Sequence, residues 1–236
     1  MTVRERLVNA ILRLALRLIA RIDARDLKRL PRRGPGILMS NHTTNLEGPA
    51  YYLFVQPRRA TALGKQELWA RWHTRFIMNL WNVIPVSRGQ VDRKALRAAF
   101  SALDAGMYLG IAPEGTRSRT GRLQEGHPGI ALVATHRQVP VYPVVHWGML
   151  DLGRSLKRLR RARVTIRVGR PFRVRLPHGL RAGPAVLRDI TNEMMREMAR
   201  ALPAELRGAY AELPESPPRY LEYLDQLLNP RRNDET

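Results

Sequence analysis

The chain has 236 residues, enough for one well-buried domain and no obligatory second one. Its 41 Lys and Arg against 20 Asp and Glu leave a net charge of +21, which draws it to polyanions or anionic surfaces without saying which. The absence of Cys excludes disulfides, thiolate metal sites and a cysteine nucleophile, and fits a reducing compartment.

Residues 1–30 read as an amphipathic helix. From Leu7 to Ala20 the run is apolar except for Asn9, Arg13 and Arg17, well short of the roughly 20 apolar residues that a membrane span needs. On a helix, Asn9, Arg13, Arg17 and Arg21 make one stripe, and Leu7, Ile11, Leu14 and Leu18 belong to the apolar remainder. Two readings stand: a basic helix lying in a bilayer interface with its arginines near anionic head groups, or a helix whose apolar face docks on the domain. No small-residue cleavage site follows, so a signal peptide is not expected.

Residues 31–205 alternate short apolar runs with helical spacing. Gly36–Ser40 reads as a buried strand ending at Asn41-His42, and a helix begins at Pro49. Thr61–Leu63 is a strand candidate, Glu67–Leu80 is mostly helical, Val83–Val86 is a strand ending at Ser87-Arg88, and Asp92–Ala105 is helical. Met107–Ala112 is a strand feeding the loop Pro113–Gly121. A helix at Gly129–His136, strands at Pro140–His146 and Val164–Val168, and a helix at Ala185–Ala201 follow. The pattern predicts an α/β fold with a mixed, largely parallel sheet covered by helices on both faces. Residues 206–236 read as a looser tail, with a short helix at Arg219–Leu228.

Two polar segments at strand ends carry chemistry. Residues five apart on a helix point roughly 140° away from each other, so His42 and Glu47 meet only if Thr43–Leu46 turns. In that geometry Glu47 takes the Nδ1 hydrogen and Nε2 is free to accept a proton from a substrate hydroxyl. Standing alone, the same residues also read as a loop histidine and a helix cap. The second segment, Glu114-Gly115-Thr116-Arg117-Ser118, suits an anion: Gly115 permits an unusual backbone turn, and Arg117 and Ser118 can bind phosphate oxygens. Arg88 is a second cation able to converge there. No Gly-x-Ser-x-Gly elbow supplies a serine nucleophile.

In order, Asn41-His42-x4-Glu47, Ile84-Pro85-Val86-Ser87-Arg88, Pro113–Ser118 and Val139-Pro140-Val141-Tyr142-Pro143-Val144 resemble the four blocks of the glycerolipid acyltransferases, the 1-acyl-glycerol-3-phosphate acyltransferase type. The resemblance covers residues 36–148. It implies that His42 is the base and Glu47 its orienting partner. It also implies that Arg88 and Arg117 bind the acceptor phosphate, with Glu114, Gly115, Thr116 and Ser118 shaping the pocket and Lys65 contributing. The family usually has Asp at the position of Glu47 and Gly at that of Asn82, and often Lys where Gln124-Glu125-Gly126 stands.

The expected reaction moves a fatty acyl group from acyl-CoA or acyl carrier protein, as co-substrate, to the hydroxyl of 1-acyl-glycerol-3-phosphate, giving phosphatidic acid. Glycerol 3-phosphate, another lysophospholipid or an aminolipid is the alternative acceptor. A non-catalytic basic protein that binds membranes or nucleic acid is the alternative of another class. The acid-free run from Arg154 to Arg175 suits anionic lipid, an acidic carrier protein or CoA phosphates. No recognised nucleic-acid module accompanies it, and nucleic acid is not an expected partner. His73, His127, His136, His146 and His178 lack metal-ligand spacing and read as surface or packing, so neither metal nor cofactor is expected. Trp69, Trp72 and Trp81 read as packing. The expected location is the cytoplasmic face of a membrane, peripherally, without a span.

Overall fold

Apolar runs of strand length between polar turns are the raw material of a sheet buried on both faces. The chain uses them so in a computed structural model that describes residues 2–87 and 92–228. Helix α1 (Val3–Ile19) leads directly into β1 (Ala20–Asp23), and β2 (Gly36–Met39) follows a 3-10 turn. Next come α2 (Glu47–Val55), β3 (Ala60–Lys65), α3 (Trp72–Leu80), β4 (Ile84–Val86), α4 (Arg93–Asp104) and β5 (Tyr108–Ile111). The rest is α5 (Gly129–Arg137), β6 (Val141–Trp147), α6 (Leu152–Lys157), β7 (Ala162–Val168), β8 (Phe172–Val174), α7 (Pro184–Arg200) and β9 (Leu221–Tyr223).

The sheet order is β1-β7-β6-β2-β5-β3-β4, with β8 added to β6 and β9 to β8. Strands β6, β2, β5, β3 and β4 run parallel, β7 runs against β6, and β1 runs with β7. This is the mixed, largely parallel α/β sheet that the pattern predicts. Alternation along β2 shows the two layers. Ile37 and Met39 join the core under α4, α5 and α7, while Leu38 joins the core under α1 and α2. Gly36 is a matter of room, because a Cβ there would lie 2.9 Å from the rings of both Tyr108 and Tyr142.

The structure departs from the pattern at both ends. Helix α1 stops at Ile19, and Ala20–Asp23 pair with β7 as a sheet edge. Its polar stripe meets the protein through Asn9 and Arg13, whereas Arg17 and Arg21 are exposed. Asn9 is buried and accepts from Trp81 Nε1 at 2.9 Å, and Arg13 donates to the Leu53 carbonyl at 2.6 Å, while Arg17 sits over the Phe54 ring. The exposed side is apolar, made of Val3, Leu7, Ile11, Leu14 and Leu18. At the other end, Arg219–Leu228 forms β9 and a 3-10 turn rather than an α-helix, because the Glu193 carboxylate holds the Arg219 and Tyr220 amides as the chain enters a strand pairing with β8.

The segment Glu67–Leu80 divides into a 3-10 turn and α3, and the Thr74 and Arg75 side chains take up the Leu68 and Trp69 carbonyls at the break. Trp81 packs in the core, whereas Trp72 is 82% exposed. Asn82, just before β4, has φ of +50°. Asn suits this position, since Asn and Gly are the residues that best tolerate the left-handed region.

That position yields a test. Asn82→Gly is expected to keep or raise the denaturant midpoint, and Asn82→Val to lower stability by about 1–2 kcal/mol, read by equilibrium urea unfolding.

Candidate active site

Parallel strands deliver their C-terminal ends to one edge of the sheet, and backbone groups there have no further strand to bond. At the end of β2 the side chain of Asn41 fills this gap. Its amide donates to the His146 carbonyl at 2.9 Å and its oxygen accepts from the His146 amide at 2.9 Å, so it extends the β2–β6 pairing by side chain. His42 comes next, and the Pro113–Ser118 loop at the end of β5 grips its backbone from both sides. The His42 amide donates to Glu114 Oε1 at 2.8 Å, and its carbonyl accepts from the Ser118 amide at 2.7 Å. Two segments, with His42 and Glu114 72 positions apart in sequence, are thus one structural unit.

The chain does turn between His42 and Glu47. Nδ1 of His42 is hydrogen-bonded to Glu47 Oε1, and among the described residues Nε2 has no partner. The ring is 21% exposed and the Glu47 side chain 5%. Glu47, first residue of α2, also accepts from the Thr43 amide at 3.1 Å and from the Thr44 amide and hydroxyl, each at 2.7 Å. Burial alone would raise the Glu47 carboxyl. The bond from His42, the nearby His146 ring and the bond from Thr44 together outweigh burial and hold it below the usual carboxylate range. An ionised partner fixes the hydrogen of His42 on Nδ1 and leaves the Nε2 lone pair facing outward.

Behind Glu47 lies a histidine that sequence reasoning assigned to surface or packing. His146 is buried in β6, with Nε2 at 2.8 Å from Thr43 Oγ1 and 4.0 Å from Glu47 Oε2, and Nδ1 at 2.6 Å from the Tyr51 hydroxyl. One arrangement employs every hydrogen: Tyr51 donates to the Val144 carbonyl, Nδ1–H to Tyr51, and Thr43 to Nε2. His146 is then neutral, and burial pushes its pKa down to about 4. Thr43 and Tyr51 gave no signal in the sequence, and Asn41 gave its place in the block but not its partner, because the residue that all three bond lies about a hundred positions away.

The remaining expected residues divide. Gly115 has φ of +65°, and the edge of His127 lies where a side chain would go. Thr116 and Arg117 are exposed at the loop tip, and no protein group holds the Arg117 guanidinium among the described residues. Ser118 is buried, and its contribution is the amide on His42. Glu114 is buried, with its first oxygen on the His42 amide. Its second oxygen accepts from the Gln124 amide at 2.9 Å, and burial raises its carboxyl above the usual value. Lys65 ends β3 and is paired with Val86 of β4. Arg88 lies outside the described residues; the segment's flanks are tied by Asp92, which accepts from the Ser87 amide at 3.0 Å and caps α4. His42, Arg117 and Lys65 therefore leave successive strand ends, β2, β5 and β3, at roughly 5 Å per strand. Among the described residues no group of three or more His, Asp or Glu is placed to hold a metal ion.

A model of the family described as Acyltransferase matches residues 21–147, more than half of the chain. The chain belongs to the Acyltransferase family. The match runs from β1 to the end of β6, so the His42 turn, the Pro113–Ser118 loop and His146 all fall within the family region. The human protein 1-acyl-sn-glycerol-3-phosphate acyltransferase beta is 30% identical over 133 residues, which cover 53% of this chain and 46% of that protein. This chain therefore spans about half the length of that relative. The 1-acyl-sn-glycerophosphate (LPA) acyltransferase PlsC from Thermotoga maritima has the same fold, at TM-score 0.59 and 21% identity, over 80% of this chain and 76% of its own. The Gln124 side chain and amide complete the Glu114 grip.

His146 should leave a mark on stability. A histidine with a depressed folded pKa binds its proton first in the unfolded state, so its contribution is intact above the unfolded value of 6.5 and fades as pH falls toward about 4. Between pH 7 and pH 5 this loss is about 2 kcal/mol. His146→Gln should have a flatter stability profile over that interval in urea unfolding; an equally steep one contradicts the assignment.

Proposed function

We propose that this chain is an O-acyltransferase that moves a fatty acyl group from the thioester of acyl-CoA or acyl carrier protein to the hydroxyl of 1-acyl-glycerol-3-phosphate, forming phosphatidic acid. The observation that carries the proposal is His42: Nδ1 bonded to a buried carboxylate, Nε2 without a partner among the described residues, at a sheet edge beside strand ends that bear cations. Nε2 takes the proton of the acceptor hydroxyl as its oxygen attacks the thioester carbonyl carbon. The tetrahedral intermediate collapses with loss of the thiolate, and the His42 imidazolium returns the proton to sulfur. Glu47 steadies the imidazolium and keeps the ring oriented. No acyl-enzyme forms, because the hydroxyl that attacks is the acceptor's own.

Arg117, Lys65 and Arg88 serve the acceptor phosphate, with Arg117 able to bind two oxygens at once. Gly115 and Thr116 shape the loop that presents Arg117, and Glu114 and Ser118 act by gripping His42. The printed names of the human and Thermotoga relatives favour a lysophospholipid acceptor. Among the described residues no helix is long and apolar enough to cross a membrane. The outward stripe Val3, Leu7, Ile11, Leu14 and Leu18, with exposed Trp72, supports peripheral binding to a membrane, and the cytoplasmic face is part of this proposal.

Acyl transfer assayed with acyl-CoA and acyl carrier protein donors tests the chemistry. His42→Ala is expected to lower kcat by about a thousandfold and Glu47→Gln by about a hundredfold. An unimpaired His42→Ala rejects the mechanism. Arg117→Ala should raise KM for the phosphate-bearing acceptor by roughly tenfold while leaving KM for the donor unchanged, with Arg117→Lys between the two.

A further inference from the structure

The turn between α6 and β7 holds a leucine where nothing in the fold asks for one. Leu159 is 97% exposed with φ of +51°, a conformation that usually selects Gly or Asn just past a helix end. The turn is well formed. The amides of Arg158 and Arg160 both bond the Ser155 carbonyl, at 3.0 and 2.9 Å, and the Leu159 amide bonds the Leu156 carbonyl at 2.9 Å. Leu156, one turn back, is also exposed. Around this apolar tip stand Lys157, Arg158, Arg160 and Arg161, all exposed, and no acidic residue occurs between Leu152 and Arg188.

We infer that this turn is a lipid-contacting point, with Leu159 entering the head-group layer of a bilayer and the surrounding cations meeting anionic lipid. The inference rests on the membrane reading of α1 given above. An apolar residue ringed by unpaired cations matches an anionic bilayer surface, where both parts find a partner. A nucleic acid would use the cations alone, and the turn carries no aromatic ring for base stacking. The position agrees. Ala162, directly after the turn, pairs with Ala20, directly after α1, so the turn and exposed Leu18 share a corner of the sheet. Thr165 pairs with Trp147, the residue after His146, so the turn leaves the same edge that carries His42. A lipid acceptor drawn from a bilayer at this edge has a short path to Nε2.

The native chain has no cysteine, so a single one can report position. Leu159→Cys, Ile11→Cys and His136→Cys, the last on α5 at the opposite edge, are labelled with an environment-sensitive fluorophore and mixed with phosphatidylcholine vesicles with and without phosphatidylglycerol. The expected result is a blue shift at 159 and at 11 with phosphatidylglycerol, reversed at 159 by salt, and none at 136. The triple variant Arg158→Gln, Arg160→Gln, Arg161→Gln should lose at least tenfold in partition to the anionic vesicles. It should retain acyl transfer to a detergent-dispersed acceptor. A shift at 11 with none at 159 overturns this inference and leaves the α1 reading standing; silence at both overturns both. A response at 159 to a single-stranded oligonucleotide without one to vesicles assigns the turn to nucleic acid and also overturns it.

Discussion

The site depends on one buried carboxylate that has no role in the proposed chemistry. Glu114 accepts the amides of His42 and Gln124, and the neighbouring Ser118 amide closes on the His42 carbonyl. A strand that ends in mid-protein leaves such groups exposed to an apolar interior, and each would be costly to bury unpaired. Placing a carboxylate there solves the problem for two segments at once. It sets the separation between the end of β2 and the loop after β5. The distance from His42 to the cation-bearing loop therefore follows from hydrogen bonding rather than from loop length.

Electrostatics then decide which ring nitrogen of His42 is outward. Glu47 is deeply buried, and a lone buried carboxylate would tend to take up a proton. Four donors from His42, Thr43 and Thr44 reverse that tendency. His146, held neutral between Thr43 and Tyr51, fills the space behind the carboxylate with a polar but uncharged group. A second positive charge there would compete with the imidazolium that forms on His42 during transfer. A neutral ring supports the turn without opposing that charge.

Much of this was legible because the informative residues are close in sequence and chemically unusual. Asn41, His42 and Glu47 lie within one turn, and Pro113–Ser118 follows an apolar run that reads plainly as a strand. Helical spacing marks α4, and α5 and α7 stand close to the helices expected at Gly129–His136 and Ala185–Ala201. What escaped depends on contacts between distant positions. Ala20–Asp23 is a strand only because β7 lies beside it, and β9 only because β8 does. The partnership of His146 with Thr43 and Tyr51 has no local signature. The bonds of Glu114 to the His42 and Gln124 amides had no local signature for the same reason. For α1, spacing correctly separates a polar stripe from an apolar one, but spacing carries no information on which stripe meets the protein.

The answer at α1 has a geometric consequence. The helix is held by directed bonds, Trp81 to Asn9 and Arg13 to the Leu53 carbonyl, in addition to apolar contact through Leu16. Greasy contact tolerates rolling about the helix axis, whereas a hydrogen bond with a fixed acceptor does not. The helix accordingly has a single azimuth, and its outward stripe behaves as a keel set at one angle to the sheet. Any flat body that meets the keel encounters the rest of the molecule at a predetermined tilt.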